Sequence, residues 1–265
     1  MTAIASQTGA LRPASWPVAV SLHTGRLLRR WMRSPALLTM TILMPVMMML
    51  TVVIMFRGTI EQFSGAPIDL TKIAVMISVS SMLTGALMGA GSTVQERQEG
   101  LADRLRSIPG HSSASFAGRI LAESLRGYLA APITLLIALA YGTDLGPASG
   151  ALRMLGVLAL VAIASGAFGV MMGYLAETPQ GAVAASPIVM VAMFFNTAMM
   201  PRDLYAPALR PLVDASPITA VANLTSDALE GVVDTGHIAL FAAWFGGLTL
   251  LSVVVVVRRS RREAA

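Results

Sequence analysis

The run LLTMTILMPVMMMLTVVIMF, residues 37–56, holds 20 residues without a charge and is bounded by Arg33 and Arg57. About 20 apolar residues in helical form cross the roughly 30 Å hydrocarbon core of a bilayer, so the run reads as a membrane span. Pro45 lies inside it and is expected to kink the helix. The rest of the chain supports a membrane setting: 55% of residues are hydrophobic, 12% are charged and the mean hydropathy is +0.70. The net charge of +5 sits in arginine clusters flanking the apolar runs, the pattern of juxtamembrane segments and not of a nucleic-acid surface. Absence of cysteine excludes disulfides, thiolate metal sites and a cysteine nucleophile.

Outward from this run the sequence predicts an all-α integral membrane protein of six transmembrane helices with an N-terminal interfacial helix. The further spans fall at about 73–94, 116–141, 152–175, 181–200 and 237–257. Gly85, Gly89 and Gly91 give the second span small faces for close helix packing. The third carries Arg119, Glu123 and Arg126 in its first half, at helical spacing, and these are read as a membrane-edge polar cluster. Residues 18–33 mix Val18, Leu22, Leu27, Leu28 and Trp31 with His23, Arg26, Arg29, Arg30 and Arg33, a composition suited to a helix lying under the headgroups. Residues 1–17 are expected to be a flexible N-terminus with no cleaved signal peptide, 18–257 the transmembrane domain and 258–265 a basic tail.

Arginines concentrate before the first span, between the second and third, and after the sixth. The opposite loops hold Glu61, Asp69, Asp144, Asp203, Asp214, Asp227, Glu230 and Asp234 with few cations. Positively charged flanks stay in the cytoplasm, which predicts a plasma-membrane protein with both termini inside. A five-span alternative, with the third segment in the interface, would put the terminal arginine cluster outside. The stretch 201–236 is too long for a simple connection and is punctuated by Pro201, Pro207, Pro211 and Pro217, so it can dip back toward the membrane.

Enzymatic signatures are missing. The single lysine, Lys72, follows no glycine-rich loop, which excludes a P-loop ATPase within this chain. His23, His111 and His237 are far apart in sequence and no Gly-x-Ser-x-Gly elbow is present, so no catalytic residue, metal ligand or bound cofactor is assigned. Apart from Arg119, Glu123 and Arg126, the span interiors lack the acids and bases that proton- or ion-driven transporters use.

The most distinctive polar segment follows the second span: QERQEGLADRLRSIP, residues 95–109. Leu101, Leu105 and Ile108 recur at helical spacing beside Glu96, Glu99 and Arg104, and Pro109 with Gly110 would end the helix. Physics alone leaves two readings, a solvated connector or a docking knob with an apolar stripe and a charged edge. Gly100 would serve a close approach or a local bend.

This segment resembles the hallmark of ABC-2 type permeases, in which a span is followed by Glu-Arg-x-x-Gly-x-x-x-Arg-Leu-x-x-x-Pro. The pattern falls on Glu96, Arg97, Gly100, Arg104, Leu105 and Pro109, with Glu99 before the glycine. Arg33-Ser34-Pro35 ahead of the first span, Pro45 within it, and Met200-Pro201, Leu209-Arg210-Pro211 and Ser216-Pro217-Ile218-Thr219 near the end are similar to the family as well. The family usually has asparagine where Ser216 stands. The likeness extends from about Val18 to Val257 and is nearest to the daunorubicin-resistance-type subgroup. It implies the transmembrane domain of a type V-like ABC exporter, moving a drug-like or lipid amphipathic substrate. It also implies two copies of a P-loop ATPase subunit carrying ATP and Mg and a second identical or homologous permease subunit; nucleic acid is no partner on the charge placement given above. ATPase coupling would fall on Glu96, Arg97, Glu99, Gly100, Leu101, Arg104, Leu105, Ile108 and Pro109. A membrane scaffold of an envelope assembly, and a secondary transporter, are the alternatives from other classes.

Overall fold

The computed structural model describes residues 15–65, 67–100 and 112–262, and the described residues are helical with no strand. Helix α1, Trp16–Met32, precedes α2, Pro35–Thr51, which passes through a π-helical turn, Val52–Phe56, into α3, Arg57–Ser64. Pro35 opens α2 at a position where a missing N–H costs nothing, and α2 continues as α-helix past the buried Pro45. Asp69 starts α4, Leu70–Gln98, by accepting from the Thr71 and Lys72 amides at 3.0 and 3.1 Å.

Next come α5, Ser112–Tyr128, and α6, Ala130–Ala140, separated by a turn at Leu129. Pro132 explains the break, because it donates no amide hydrogen and its ring crowds the carbonyl four residues earlier. Helix α7 is Ala148–Leu175; short helices α8, Pro179–Ala182, and α9, Ser186–Phe194, follow. After a 3-10 turn at Arg202–Leu204 come α10, Arg210–Asp214, and α11, Pro217–Glu230. The chain closes with α12, Thr235–Phe241, a π-helical turn at Ala242–Gly246, and α13, Gly247–Arg262.

Helix α4 is the centre of the bundle. Ile73, Ile77, Val79 and Leu87 are fully buried on it, and α2, α6, α7 and α11 surround it. Helix α7 lies against α4 and α5 through a column of small residues. A Cβ on Gly166 would meet the Ile120 carbonyl oxygen at 2.9 Å and one on Gly173 the Ala90 oxygen at 3.1 Å; at Gly169 it would meet the Ala86 carbonyl carbon at 2.9 Å. A buried Ser78–Thr134 hydrogen bond of 2.7 Å joins α4 to α6 within the apolar interior.

Among the described residues five helical stretches are long and apolar enough to cross a bilayer: Pro35–Gln62, Leu70–Gln98, Ser113–Ala140, Ala148–Leu175 and Thr235–Arg259. The segment 181–200, expected as a continuous fifth span, is instead broken into α8 and α9, and Pro179–Phe194 is shorter than any of the five. Asn196 ends it: this fully buried amide donates to the Ala192 carbonyl and accepts from the Ala198 and Met199 amides at 2.9 and 3.2 Å, folding the chain back on itself. The broken segment runs beside about half of α4, from Pro179 beside Gly91 to Asn196 beside Met76, about 22 Å at roughly 1.5 Å per residue.

The stretch 201–236 packs back on the bundle. Tyr205 donates to the Asn196 carbonyl at 2.8 Å, burial pushing its phenol above the ordinary range, and Gly150 of α7 touches the backbone of Leu229 on α11.

Candidate functional site

Helix α4 carries the second span to Gln98, so Glu96 and Arg97 belong to the end of that helix and not to a separate surface helix. Glu96 was expected at the charged edge of a docking face. The structure corrects that position: Glu96 is 6% exposed and sits between two arginines. Arg30 of α1 holds one carboxylate oxygen and Arg119 of α5 the other. Arg119 is itself oriented by donating to the Thr93 hydroxyl at 2.9 Å. A buried carboxylate needs such partners, since an unpaired ion away from water is costly.

The next two residues reach the end of α7. Arg97 donates to the carbonyls of Gly173 and Tyr174 at 3.1 and 3.4 Å, and its guanidinium lies 5.5 Å from the centre of the Tyr174 ring. A guanidinium here complements the negative end of the α7 dipole. Gln98 donates to the Glu177 carbonyl at 3.0 Å. Three consecutive residues therefore tie α1, α5 and the C-terminal end of α7 to the point where α4 stops.

What stops α4 is Gly100. Its φ of +69° lies in the left-handed region, and its amide donates back to Arg97 at 3.1 Å, a helix-ending arrangement that glycine adopts without strain. Among the described residues a Cβ there would meet nothing within 4 Å, and of the two roles considered for Gly100 the bend is the one the backbone shows. Glu99 is the capping residue just before it. Leu101, Arg104, Leu105, Ile108 and Pro109 lie outside the described residues.

The trio Arg119, Glu123 and Arg126 is divided. Arg119 pairs with Glu96, while Arg126 pairs with Glu123 and also donates to the Gly85 carbonyl at 2.6 Å. Gly89 leaves the room for this pair, since a Cβ on it would overlap the Glu123 carboxylate.

Sequence reasoning missed Arg30 as a partner of Glu96, because residues 18–33 were assigned to the membrane surface as a unit. In the structure α1 also packs on α5: Thr24 donates to the Gly118 carbonyl at 3.1 Å, and Trp16 to the Ser113 hydroxyl at 3.1 Å. His23 lies at that contact. Burial, then Arg26 and Arg119, hold its imidazole below the usual 6.5. Helix α13 ends at the same place, with Val256 buried against Val170 and Met171 of α7. The arginine-rich segments thus gather at one end of the bundle.

Known proteins share this arrangement of sequence. The family model described as ABC-2 type transporter matches residues 19–229. A probable doxorubicin resistance ABC transporter permease protein of Mycobacterium tuberculosis is 27% identical over 249 residues, covering 92% of this chain and 88% of the relative. The daunorubicin resistance ABC transporter permease protein of Streptomyces coeruleorubidus is 24% identical over 254 residues, covering 93% and 87%. A bundle of membrane-length helices, a Glu-Arg pair anchored where its central helix ends, and a family match over most of the length lead to one conclusion: the chain belongs to the ABC-2 type transporter family, whose members are the membrane subunits, or permeases, of ABC transporters.

Proposed function

We propose that this permease exports a drug-like or lipid amphipathic compound across the plasma membrane, driven by two copies of a separate P-loop ATPase that carry the ATP and Mg. The arginine-rich end faces the cytoplasm, the broken segment at 179–194 makes the fifth of six crossings, and a second identical or homologous permease subunit completes the pathway. The observation that carries this reading is the junction at Glu96, Arg97 and Gln98. It fastens three neighbouring elements to the residues immediately before the segment that would meet the ATPase. A push on 101–111 is then delivered to several helices at once.

A separate ATPase fits the sequence, whose one lysine lies outside any phosphate-binding loop. Relatives named for resistance to doxorubicin and daunorubicin support an amphipathic cargo. Docking on 101–111 would use Leu101, Leu105 and Ile108 as apolar anchors, with Arg104 orienting the contact and Pro109 ending it. Purification of the native complex, with its ATPase and bound lipid identified, tests the assignment. In the same preparation Leu105→Ala should lose ATPase co-purification and Arg106→Ala keep it, since a buried anchor is worth about 2 kcal/mol and a rim charge much less. Isolation without any ATPase, or equal behaviour of the two variants, would count against the reading.

A further inference from the structure

Five charged side chains alternate in sign along the seam between α4 and α5. Arg30 of α1 holds Glu96 of α4, and Arg119 of α5 holds the same carboxylate. Glu123 follows Arg119 one helical turn on, on the same face of α5. Arg126 pairs with Glu123 and then reaches the Gly85 carbonyl on α4. The series runs along α4 from Glu96 to Gly85, about 16 Å at roughly 1.5 Å per residue, and so passes from the helix end into the membrane-spanning part.

Cohesion alone does not call for these charges. Each ion taken out of water costs several kcal/mol, and apolar packing can hold two helices together without that cost. Alternation does something packing does not: sliding α4 along α5 by one turn would part Glu96 from Arg119, toward Glu123 in one direction and away from any buried cation in the other. A buried ionic series therefore fixes register, the best-attested use of such groups. Gly89 agrees with this register, because its missing side chain leaves the space that Glu123 occupies. At the outer end Arg30 extends the same constraint to α1, which also meets α5 at Thr24 and Gly118.

Resting on the exporter reading above, we infer that this ladder makes α1, α4 and α5 move as one rigid unit in the transport cycle, with Glu96 and Glu123 as its positioning residues. Displacement of the 101–111 segment then reaches the surface helix and the middle of α5 without slippage.

The native chain lacks cysteine, so Trp16→Cys with Ser113→Cys supplies the only thiols in the permease, at a contact between α1 and α5. The doubly substituted permease, assembled with its ATPase in liposomes, is bridged with a short bifunctional thiol reagent. The bridged complex should export on ATP as the unbridged one does. Export lost on bridging and restored by cleaving the bridge would show that α1 and α5 must move relative to each other, and would overturn the inference. The isosteric Glu123→Gln should keep ATPase binding and hydrolysis while export per ATP falls at least about tenfold, within the roughly 5–150-fold span of ordinary coupling energies. An unchanged ratio would also overturn it, and should this variant fail to insert, the bridging result decides. Absence of ATP-driven export by the unbridged complex would sink the exporter reading and the inference with it. Its presence, with loss on bridging, would sink the inference alone.

Discussion

Glu96 has two arginine partners that differ in surroundings. The Arg119 side chain is 11% exposed and that of Arg30 59%. Removing Arg119 leaves a buried carboxylate with one solvent-exposed partner, so Arg119→Ala should destabilise the protein by about 3–5 kcal/mol. Arg30→Ala should cost about 0–1 kcal/mol, because a solvent-exposed partner is screened. Thermal unfolding in detergent compares them, and equal losses would mean that the junction is not built around Arg119. His23 supplies a pH test at the same contact. Its folded pKa is depressed, so between that value and 6.5 the unfolded chain binds more protons than the folded one, and stability falls as pH drops through this window. His23→Gln should show a smaller loss of melting temperature than the native protein between pH 7.5 and 5.5, and an unaltered dependence would contradict this. The Glu-Arg pair was legible in the sequence as a motif. Its burial was not, because nothing in one sequence says that residues 30, 96 and 119 meet.

At the scale of helices, packing along α7 separates glycines that touch backbone from one that touches nothing. A Cβ at Gly169 would lie 2.9 Å from the Ala86 carbonyl carbon of α4, and backbone in a central helix cannot move aside cheaply. Gly169→Ala should therefore destabilise, by about 1–3 kcal/mol as overpacking does. Gly156, on the same helix, has nothing within 4 Å, so Gly156→Ala should be neutral or stabilising by up to about 1 kcal/mol. The two melting temperatures should move in opposite directions or differ clearly, and matching shifts would contradict the close approach of α7 to α4. Long apolar runs made the five membrane-length helices readable, since length and hydropathy are properties of a segment by itself. The segment 181–200 misled for the same reason: its hydropathy suits a span, while its break depends on Pro187 at the start of α9 and on Asn196 finding backbone partners. Those partners are tertiary facts.

The whole molecule is a bundle around α4, with its arginine-rich segments gathered at one end and its acid-rich turns at the other. Asp234 illustrates the second end, where amide hydrogen bonds from His237 and Gly236 hold its carboxyl below the ordinary range. The central claim is that transport through these helices takes its energy from a separate ATPase, and reconstitution tests it most directly. Liposomes carrying the permease alone, or with its P-loop partner, are loaded with doxorubicin or a headgroup-labelled phospholipid and challenged with ATP or with a proton gradient. The account predicts movement only where partner and ATP are both present, and no ATP hydrolysis by the permease alone. Transport by the permease alone on a proton gradient would contradict it.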